Sequence, residues 1–199
     1  TRKPWRDVFD VDEISQRMSL FDLDPSTLFA KHQGRAKAIW TDDRGGYREA
    51  FIAGEDLDRA YEAGCSVCLL GYNSYASGLD EFLTSLSSEL RVPSDTSSAN
   101  LYLSPAGSGV KWHFDRRQVF SLHLVGKKKW WYAPGAQFPN PRLNFVPDFE
   151  LHQVNHPYLN LVSVPADEQS VACKLKRGDL LYLPAGTWHR TEALEASIG

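Results

Sequence analysis

The stretch Lys111–Asp115 reads K-W-H-F-D and follows the loop S-P-A-G-S-G. It places a histidine and an aspartate two residues apart. Side chains at positions i and i+2 of an extended segment point to the same side. We therefore expect His113 and Asp115 to face one point, where both would bind the same metal ion. Such a site needs at least one further protein ligand from elsewhere in the chain.

A second motif near the end of the sequence supplies this ligand. In G-D-L-L-Y-L-P-A-G-T-W-H, Gly178 opens a predicted strand, a proline and a glycine bend the chain, and His189 follows. Two histidines and one carboxylate form a facial triad with open coordination positions, which suits non-haem Fe(II) and O₂ chemistry. The alternative is that His113 and Asp115 form only a buried hydrogen-bonded pair.

Short alternating segments separated by Gly and Pro turns dominate the chain from Asn100 onward, which is typical of a β-barrel or sandwich. The predicted strands are N-L-Y-L-S, W-H-F-D, V-F-S-L-H-L-V, K-K-W-W-Y, V-A-C-K-L, L-L-Y-L and W-H-R. Before them, leucines at helical spacing predict an amphipathic helix across Leu79–Leu90. Strand alternation turns Trp112 and Trp188 away from the metal ligands, so we interpret both as packing residues.

Composition limits the function classes. The chain has 199 residues and a net charge of −3, and Lys127–Lys129 is its one run of three basic residues, so no nucleic acid is expected as a direct partner. No apolar run reaches the ~18 residues of a membrane span, and no secretory signal is visible. Three cysteines make no even disulfide framework, which favours the reducing cytoplasm. We interpret Cys65 and Cys68 as buried structural residues.

The sequence resembles the JmjC-type 2-oxoglutarate oxygenases of the cupin superfamily, and most closely their ribosomal-oxygenase-like and bacterial hydroxylase branch. The similarity rests on S-A-N-L-Y-L-S-P-A-G-S-G-V-K-W-H-F-D, F-S-L-H-L-V-G-K-K-K-W-W-Y and the G-D-L-L-Y-L-P-A-G-T-W-H motif. It implies a mainly β fold with flanking helices, built on a double-stranded β-helix (cupin or jelly-roll) core. Residues 64–199 would form this JmjC domain, and residues 1–63 a mixed α/β extension packed on it.

Longer members of the family carry dimerisation and winged-helix regions after the barrel, whereas this chain stops at A-S-I-G. The difference raises two expectations, a truncated C-terminus and a homodimer. The working components implied by the resemblance are Fe(II), held by His113, Asp115 and His189, with 2-oxoglutarate and O₂ as cosubstrates.

The resemblance also assigns a basic residue, thirteen positions after the acid, to the distal carboxylate of 2-oxoglutarate. Counting from Asp115 gives Lys128. Strand alternation agrees, because it buries Lys128, and a buried lysine needs an anionic partner. The alternative, a solvated turn, is favoured for Lys127 and Lys129.

Five further polar residues fall where the family has pocket groups, and we expect them to bind the cosubstrate. They are Asn100, Tyr102, Ser121, His123 and Ser197. Each also has an alternative interpretation as a hydrogen-bonded core or rim residue.

The predicted activity is hydroxylation of a C–H bond in an amino-acid side chain of a protein or peptide, with succinate and CO₂ as co-products. The same chemistry on a small metabolite, or on N-methyl-lysine as demethylation, is an alternative. A non-redox metal-binding cupin, either an isomerase or a small-molecule binding module, is an alternative of another class, and an inactive binding scaffold is a third. Lys128 favours the oxygenase, because the other cupins have no need of a lysine aimed at a dicarboxylate.

Overall fold

The structure is a computed structural model that describes residues 24–149 and 156–199. Its α-helices are α1 (Pro25–Lys31), α2 (Asp56–Glu62) and α3 (Ser77–Leu90). Its strands are β1 (Ala36–Thr41), β2 (Tyr47–Ile52), β3 (Ser66–Leu69), β4 (Leu101–Ser104), β5 (Val119–Leu122), β6 (Lys127–Tyr132), β7 (Val171–Lys176), β8 (Leu180–Leu183), β9 (His189–Ala193) and β10 (Ser197–Ile198).

The strands form three sheets in which every pairing of named strands is antiparallel. The large sheet has the order β10-β4-β3-β1-β2, the second β7-β6-β9, and the third contains β5 and β8. This arrangement confirms the predicted fold class, a mainly β jelly-roll core with flanking helices. Strands β1 and β2 precede residue 64 yet lie in the same sheet as β3, β4 and β10. The boundary between an N-terminal extension (residues 1–63) and the JmjC domain (residues 64–199) stays a prediction.

The large sheet separates an apolar face from a polar one. On the helix side, Val67, Leu69, Leu101 and Leu103 are buried against residues of α1, α2 and α3. Alternation turns their neighbours on β3 and β4 towards the interior of the barrel. Those interior positions are Ser66, Cys68, Tyr102 and Ser104. One face of this sheet therefore supplies the core, and the other supplies polar groups to the site.

Two helices follow their local sequence signals. Asp24 accepts a hydrogen bond from the Thr27 N–H (3.0 Å) and caps α1, whose first residue is Pro25. Both are standard helix-start features. Helix α3 covers the predicted amphipathic segment, and its Leu86 lies in one apolar cluster with Phe120 of β5. The helix thus covers the outer side of the β5-β8 pair.

The segment W-H-F-D is not a regular strand, in contrast to the prediction. His113 forms an isolated bridge with His189, and Phe114 forms another with Phe145. The segment contacts a different neighbour on each side, with one bridging residue for each, so no continuous ladder forms. His113 and Asp115 nevertheless face the same point.

Leu103 tests the packing of the large sheet. Its side chain is fully buried between the helices and the sheet (0% exposed), so Leu103→Ala leaves a cavity. We expect the free energy of unfolding to fall by about 3 kcal/mol in urea denaturation. Leu161→Ala, at a residue that is 68% exposed, should change it by less than about 0.5 kcal/mol. Equal effects of the two changes would contradict this core assignment.

Candidate metal centre

Two chain segments that are distant in sequence run antiparallel and join the two motifs. Main-chain hydrogen bonds connect residues 107–115, which contain K-W-H-F-D, with residues 186–193, which contain the end of P-A-G-T-W-H and β9. They are Gly107 N–H to Ala193 O (2.7 Å), Ala193 N–H to Ser108 O (2.8 Å), Thr191 N–H to Val110 O (2.9 Å), His113 N–H to His189 O (2.9 Å), His189 N–H to His113 O (2.8 Å) and Gly186 N–H to Asp115 O (2.9 Å). These bonds place the three predicted metal ligands side by side.

The ligand atoms of His113, Asp115 and His189 all lie within 4.8 Å of one another. Asp115 Oδ2 is 3.9 Å from His113 Nε2 and 3.6 Å from His189 Nε2. The two imidazole centroids are 4.0 Å apart. A cluster of two imidazoles and one carboxylate has the composition of the facial triad. The geometry fits the predicted ligand set, and metal binding itself stays a prediction.

Hydrogen bonds fix which nitrogen of each imidazole faces the cluster. His113 Nδ1 lies 2.7 Å from Lys111 O, and His189 Nδ1 lies 2.9 Å from Thr187 O. A carbonyl oxygen only accepts, so each Nδ1 carries the proton and donates it. The Nε2 lone pairs are then free for a metal, in the arrangement by which proteins orient ligating histidines.

His189 is kept neutral by its surroundings. Burial, followed by the neighbouring His113, lowers the pKa of His189 to about 4. The imidazole is therefore neutral at pH 7, with its one proton on Nδ1, and a ligating histidine must be neutral. Trp130 stacks on the same ring with centroids 5.7 Å apart, and this contact restricts the orientation of His189.

The aromatic residue between the first two ligands points the opposite way. Phe114 packs in a buried cluster with Ala133, Phe145, Tyr158 and Trp188. Trp112 lies at the edge of this cluster, so the packing role predicted for both tryptophans is confirmed. Much of the cluster belongs to the proline-rich connection between β6 and β7, which therefore supports the ligand segment from behind.

Lys128 is buried on the inner face of β6, with 7% of its surface exposed. Its ammonium crosses the barrel interior and donates to Ser104 Oγ at 2.8 Å. Within the described part of the chain, no carboxylate lies in ion-pair distance of it. Burial lowers the pKa of Lys128 to about 8. The predicted inward orientation is confirmed, and the ammonium remains available to an anion.

Two predicted pocket residues lie near this ammonium with unused polar atoms. His123 and Ser197 are both 1% exposed, and neither His123 Nε2 nor Ser197 Oγ has a hydrogen-bond partner among the described residues. Burial, followed by the charge of Lys128, lowers the pKa of His123. Buried polar groups are normally hydrogen-bonded, so these atoms suit a polar ligand beside Lys128.

Tyr102 lies closer to the metal ligands. The pKa of its hydroxyl is raised well above the usual value by Cys68, by burial and by Asp115. Lys128 Nζ is 5.9 Å from the Tyr102 ring centroid. The Cys68 thiol is buried, and burial raises its pKa to about 12, which agrees with a structural cysteine. Cys65 is half-buried.

For the other two predicted pocket residues, Ser121 and Asn100, the structure gives contacts with residues outside the triad. Ser121 is half-buried on β5, on the same strand face as Val119, which packs with Trp130. Asn100 is exposed, and its Oδ1 accepts a hydrogen bond from the Gly71 N–H at 3.1 Å. The structure thus gives Asn100 a turn contact, and the cosubstrate roles of both residues stay predictions.

Sequence reasoning missed a chain of three serine hydroxyl groups, two of which belong to buried residues and one to a half-buried residue. Ser66 Oγ donates to Ser104 Oγ at 3.1 Å and lies 2.9 Å from Ser108 Oγ. Ser104 Oγ accepts the hydrogen bond from the Lys128 ammonium, a contact that the sequence did not predict. Its position two residues after Tyr102, on the same strand face, is the signal that would have identified it.

Taken together, the structure combines a jelly-roll core, a cluster of two histidines and one carboxylate that could hold a metal ion, and a buried lysine that faces the same barrel interior. The family model described as the JmjC domain matches residues 79–199. The chain therefore belongs to the JmjC domain family, and the resemblance noted in the sequence is confirmed.

Relatives of this chain include ribosomal oxygenases. Ribosomal oxygenase 1 of Homo sapiens is 31% identical over 134 residues, or 66% of this chain and 19% of that protein. A Dictyostelium discoideum protein named bifunctional lysine-specific demethylase and histidyl-hydroxylase NO66 is 32% identical over 133 residues, or 65% of this chain and 23% of that protein. The chain thus spans about a fifth of the length of these relatives.

Solved structures of similar fold include Escherichia coli YcfD. One superposes with a TM-score of 0.60 at 22% identity and covers 88% of this chain and 43% of that chain. YcfD in complex with cobalt and 2-oxoglutarate, described as a ribosomal oxygenase, gives a TM-score of 0.57 at 21% identity, with 88% and 42% coverage. At this identity the likeness establishes the fold. Among the described residues, no helix is both long enough and apolar enough to cross a bilayer.

The triad predicts how metal affinity responds to loss of one ligand. Asp115→Asn keeps the side-chain shape but removes the negative charge. We expect Co(II) affinity, measured by calorimetric titration, to fall by more than about 100-fold, because loss of even an outer-shell partner costs 10- to 100-fold. Asp95→Asn, at an exposed residue away from the cluster, is the control and should bind Co(II) normally. Unchanged affinity in Asp115→Asn would contradict the assignment.

The buried ammonium predicts a pH-dependent stability. Lys128 has a pKa of about 8 when folded and about 10.4 when unfolded. Between these values the unfolded chain binds more protons, so the free energy of unfolding rises with pH, and the burial penalty is fully present below about pH 8. Lys128→Met should therefore stabilise the ligand-free protein by about 1–3 kcal/mol at pH 7.

This gain should shrink as the pH rises above 8 and become small near pH 10.5, because the folded lysine is then neutral and about half of the unfolded lysine is deprotonated. Urea denaturation at pH 7 and at about pH 10 measures it. Lys127→Met, at the exposed neighbouring position, provides the matched control and should show no such pH dependence. A destabilised Lys128→Met at both pH values would mean that the ammonium is needed for folding.

Proposed function

We propose that this chain is the catalytic domain of an Fe(II)- and 2-oxoglutarate-dependent oxygenase that hydroxylates a C–H bond of an amino-acid side chain in a protein or peptide. The observation that carries the proposal is the buried Lys128 ammonium, which has no carboxylate partner in the described part of the chain and shares the barrel interior with the triad. Such a charge is stabilised when an anion binds beside it.

The donor atoms present fit the two groups. His113, Asp115 and His189 would hold Fe(II) through two neutral imidazoles and one carboxylate, a set that leaves coordination positions for the cosubstrates. Lys128 would bind the distal carboxylate of 2-oxoglutarate. Among the described residues, His123 Nε2 and Ser197 Oγ have no hydrogen-bond partner, so both fit polar contacts to the same ligand. Tyr102 has its ring centroid 5.9 Å from Lys128 Nζ, and Asp115 contributes to its raised pKa.

When bound, Fe(II) and 2-oxoglutarate supply the activation of O₂ that the protein lacks. The overall reaction converts R–H, O₂ and 2-oxoglutarate to R–OH, succinate and CO₂. The chain's own residues orient the reactants and restrict access of water. Trp130 holds the ring of His189, and the aromatic cluster around Phe114 closes the barrel behind the ligand segment.

The names of the relatives support a protein substrate. Ribosomal oxygenase and histidyl-hydroxylase both describe oxygenation, and the second name specifies an amino-acid side chain. The demethylase in the same printed name supports N-methyl-lysine demethylation as the second candidate, since the chemistry is shared. A small metabolite as substrate stays an alternative. A homodimer and a cytoplasmic location stay expectations from the sequence.

The binding half of the proposal is tested without turnover. Fe(II) and then 2-oxoglutarate are added anaerobically, and the metal-to-ligand charge-transfer absorption of the chelate is titrated. We expect the band in the unaltered protein and its loss in His189→Ala. In Lys128→Ala, 2-oxoglutarate affinity should fall by about 10- to 100-fold, the value of one charge-assisted hydrogen bond.

Lys127→Ala is the matched control, because it removes a neighbouring charge that points out of the barrel. It should leave the titration unchanged. Fe(II) binding without the band in the unaltered protein would reject the oxygenase and leave a non-redox metal-binding cupin. Equal weakening in the two lysine variants would reject the role of Lys128.

The catalytic half is tested by mass spectrometry of peptide libraries incubated aerobically with Fe(II) and 2-oxoglutarate. Addition of one oxygen atom, coupled one-to-one to succinate, is the expected result. Loss of a methylene unit with release of formaldehyde would instead identify demethylation. Chelate formation with neither peptide product would overturn the protein-substrate proposal.

A further inference from the structure

Four lysines lie together on the outer surface of the β7-β6-β9 sheet. In the β6–β7 register, Lys127 is opposite Lys176 and Lys129 is opposite Lys174. Because side chains alternate along a strand, these four point away from the buried Lys128. We name the surface formed by Lys127, Lys129, Lys174 and Lys176 the lysine face.

The arrangement is unfavourable for the fold itself. Side chains directly opposite on antiparallel strands lie about 5 Å apart at Cβ, and like charges in that position are destabilising. The lysine face contains two such pairs, Lys127–Lys176 and Lys129–Lys174. Fold stability therefore gives no reason to place four ammonium groups here, whereas binding of a polyanion does.

Neighbouring acidic groups neutralise the lysine face only in part. Lys127 Nζ is 3.5 Å from Glu195 Oε2, and Glu192 lies opposite Lys129 on β9. Lys174 and Lys176, both exposed, have no carboxylate within ion-pair distance among residues 24–149 and 156–199. These two ammonium groups are the most available to an external anion.

Aromatic and guanidinium groups adjoin the lysines on the same side of the sheet. Trp131, which is half-buried, follows Lys129 by two residues, and the Lys129 Nζ lies 4.3 Å from its ring centroid. Arg190 lies opposite Trp131 on β9, with its guanidinium carbon 4.1 Å from the same centroid. The surface thus combines regularly spaced cations with an aromatic ring held at its edge.

We propose that the lysine face binds unpaired RNA. Regularly spaced ammonium groups match a polymer of regularly spaced phosphates. The Trp131 ring, which Lys129 and Arg190 cover, becomes a stacking position for a base when the flexible Lys129 side chain leaves it for a phosphate. An acidic peptide would use the lysines but not the tryptophan, so RNA accounts for more of the surface. This inference departs from the expectation of no nucleic-acid partner, which considered only the consecutive run Lys127–Lys129.

The proposal does not depend on the proposed catalytic function, because the lysine face and the triad lie on opposite sides of the sheet that contains β6. RNA binding is measured without metal or cosubstrate, by fluorescence anisotropy with a labelled unpaired RNA of mixed sequence and about 20 nucleotides. The dissociation constant is determined across about 50–200 mM salt.

The test variant is Lys174→Gln/Lys176→Gln in the 199-residue chain. Each phosphate contact contributes about 0.7 to the slope of log K against log salt for single strands. Loss of two contacts should therefore reduce the slope by about 1.4 and weaken binding about 25-fold at ~0.1 M salt. Thermal unfolding should show an equal or higher midpoint, because the like-charge pairs are relieved.

The matched control is Lys31→Gln/Arg44→Gln, which removes the same charge at two exposed positions in α1 and in the β1–β2 turn. It should bind RNA as the unaltered chain does. Equal loss in the control would show a general effect of net charge and overturn the proposal. So would the absence of RNA binding at ~50 mM salt, which would leave the lysines as protection of the edge strand β7. Displacement by polyglutamate at the same charge concentration would replace RNA with an acidic polypeptide.

Discussion

The antiparallel hydrogen bonding between residues 107–115 and 186–193 is the constraint on which the centre depends. His113 and His189 exchange both main-chain bonds, so their side chains emerge together. The close approach requires glycine at position 109, where a Cβ would meet the Thr191 carbonyl. Gly186, at φ +78°, is equally constrained by the Phe138 carbonyl. Gly109 is thus needed for the same contact as the histidines, whereas Gly186 is needed where its turn meets the connection between β6 and β7.

The second constraint is the burial of one charge. A charged group in a low-dielectric interior is costly unless it is paired. Among the residues that the structure describes, Lys128 has only the neutral hydroxyl of Ser104 within hydrogen-bond distance. The unliganded fold bears this cost at neutral pH, as the lowered pKa of Lys128 shows. A site that is electrostatically incomplete without an anion discriminates strongly in favour of an anionic ligand. On the same strand, Lys127 and Lys129 point to the opposite, outer face of the sheet. The three consecutive lysines are therefore divided between the barrel interior and the lysine face.

Much of the fold followed from local patterns. The amphipathic helix, the strand L-Y-L-S and the strand of the three lysines were all predictable, because periodicity reports which face of an element is buried. The predicted strand W-H-F-D was wrong in detail, since each of its sides pairs with a different segment through a single residue. Asn100, which the family resemblance assigns to the pocket, precedes β4, and its Oδ1 accepts a hydrogen bond from the Gly71 N–H, so its cosubstrate role stays a prediction. Alternation holds only within a regular strand.

The sequence by itself determined the ligand types, their spacing within each motif and the inward orientation of Lys128, because these depend on residues within one strand or turn. The tertiary structure decided what those groups meet: Ser104 as the partner of the ammonium, and the aromatic cluster behind the ligands. It also brought Lys174 and Lys176 opposite Lys129 and Lys127. Such contacts depend on the register between strands that are far apart in sequence, and local periodicity carries no information on that register.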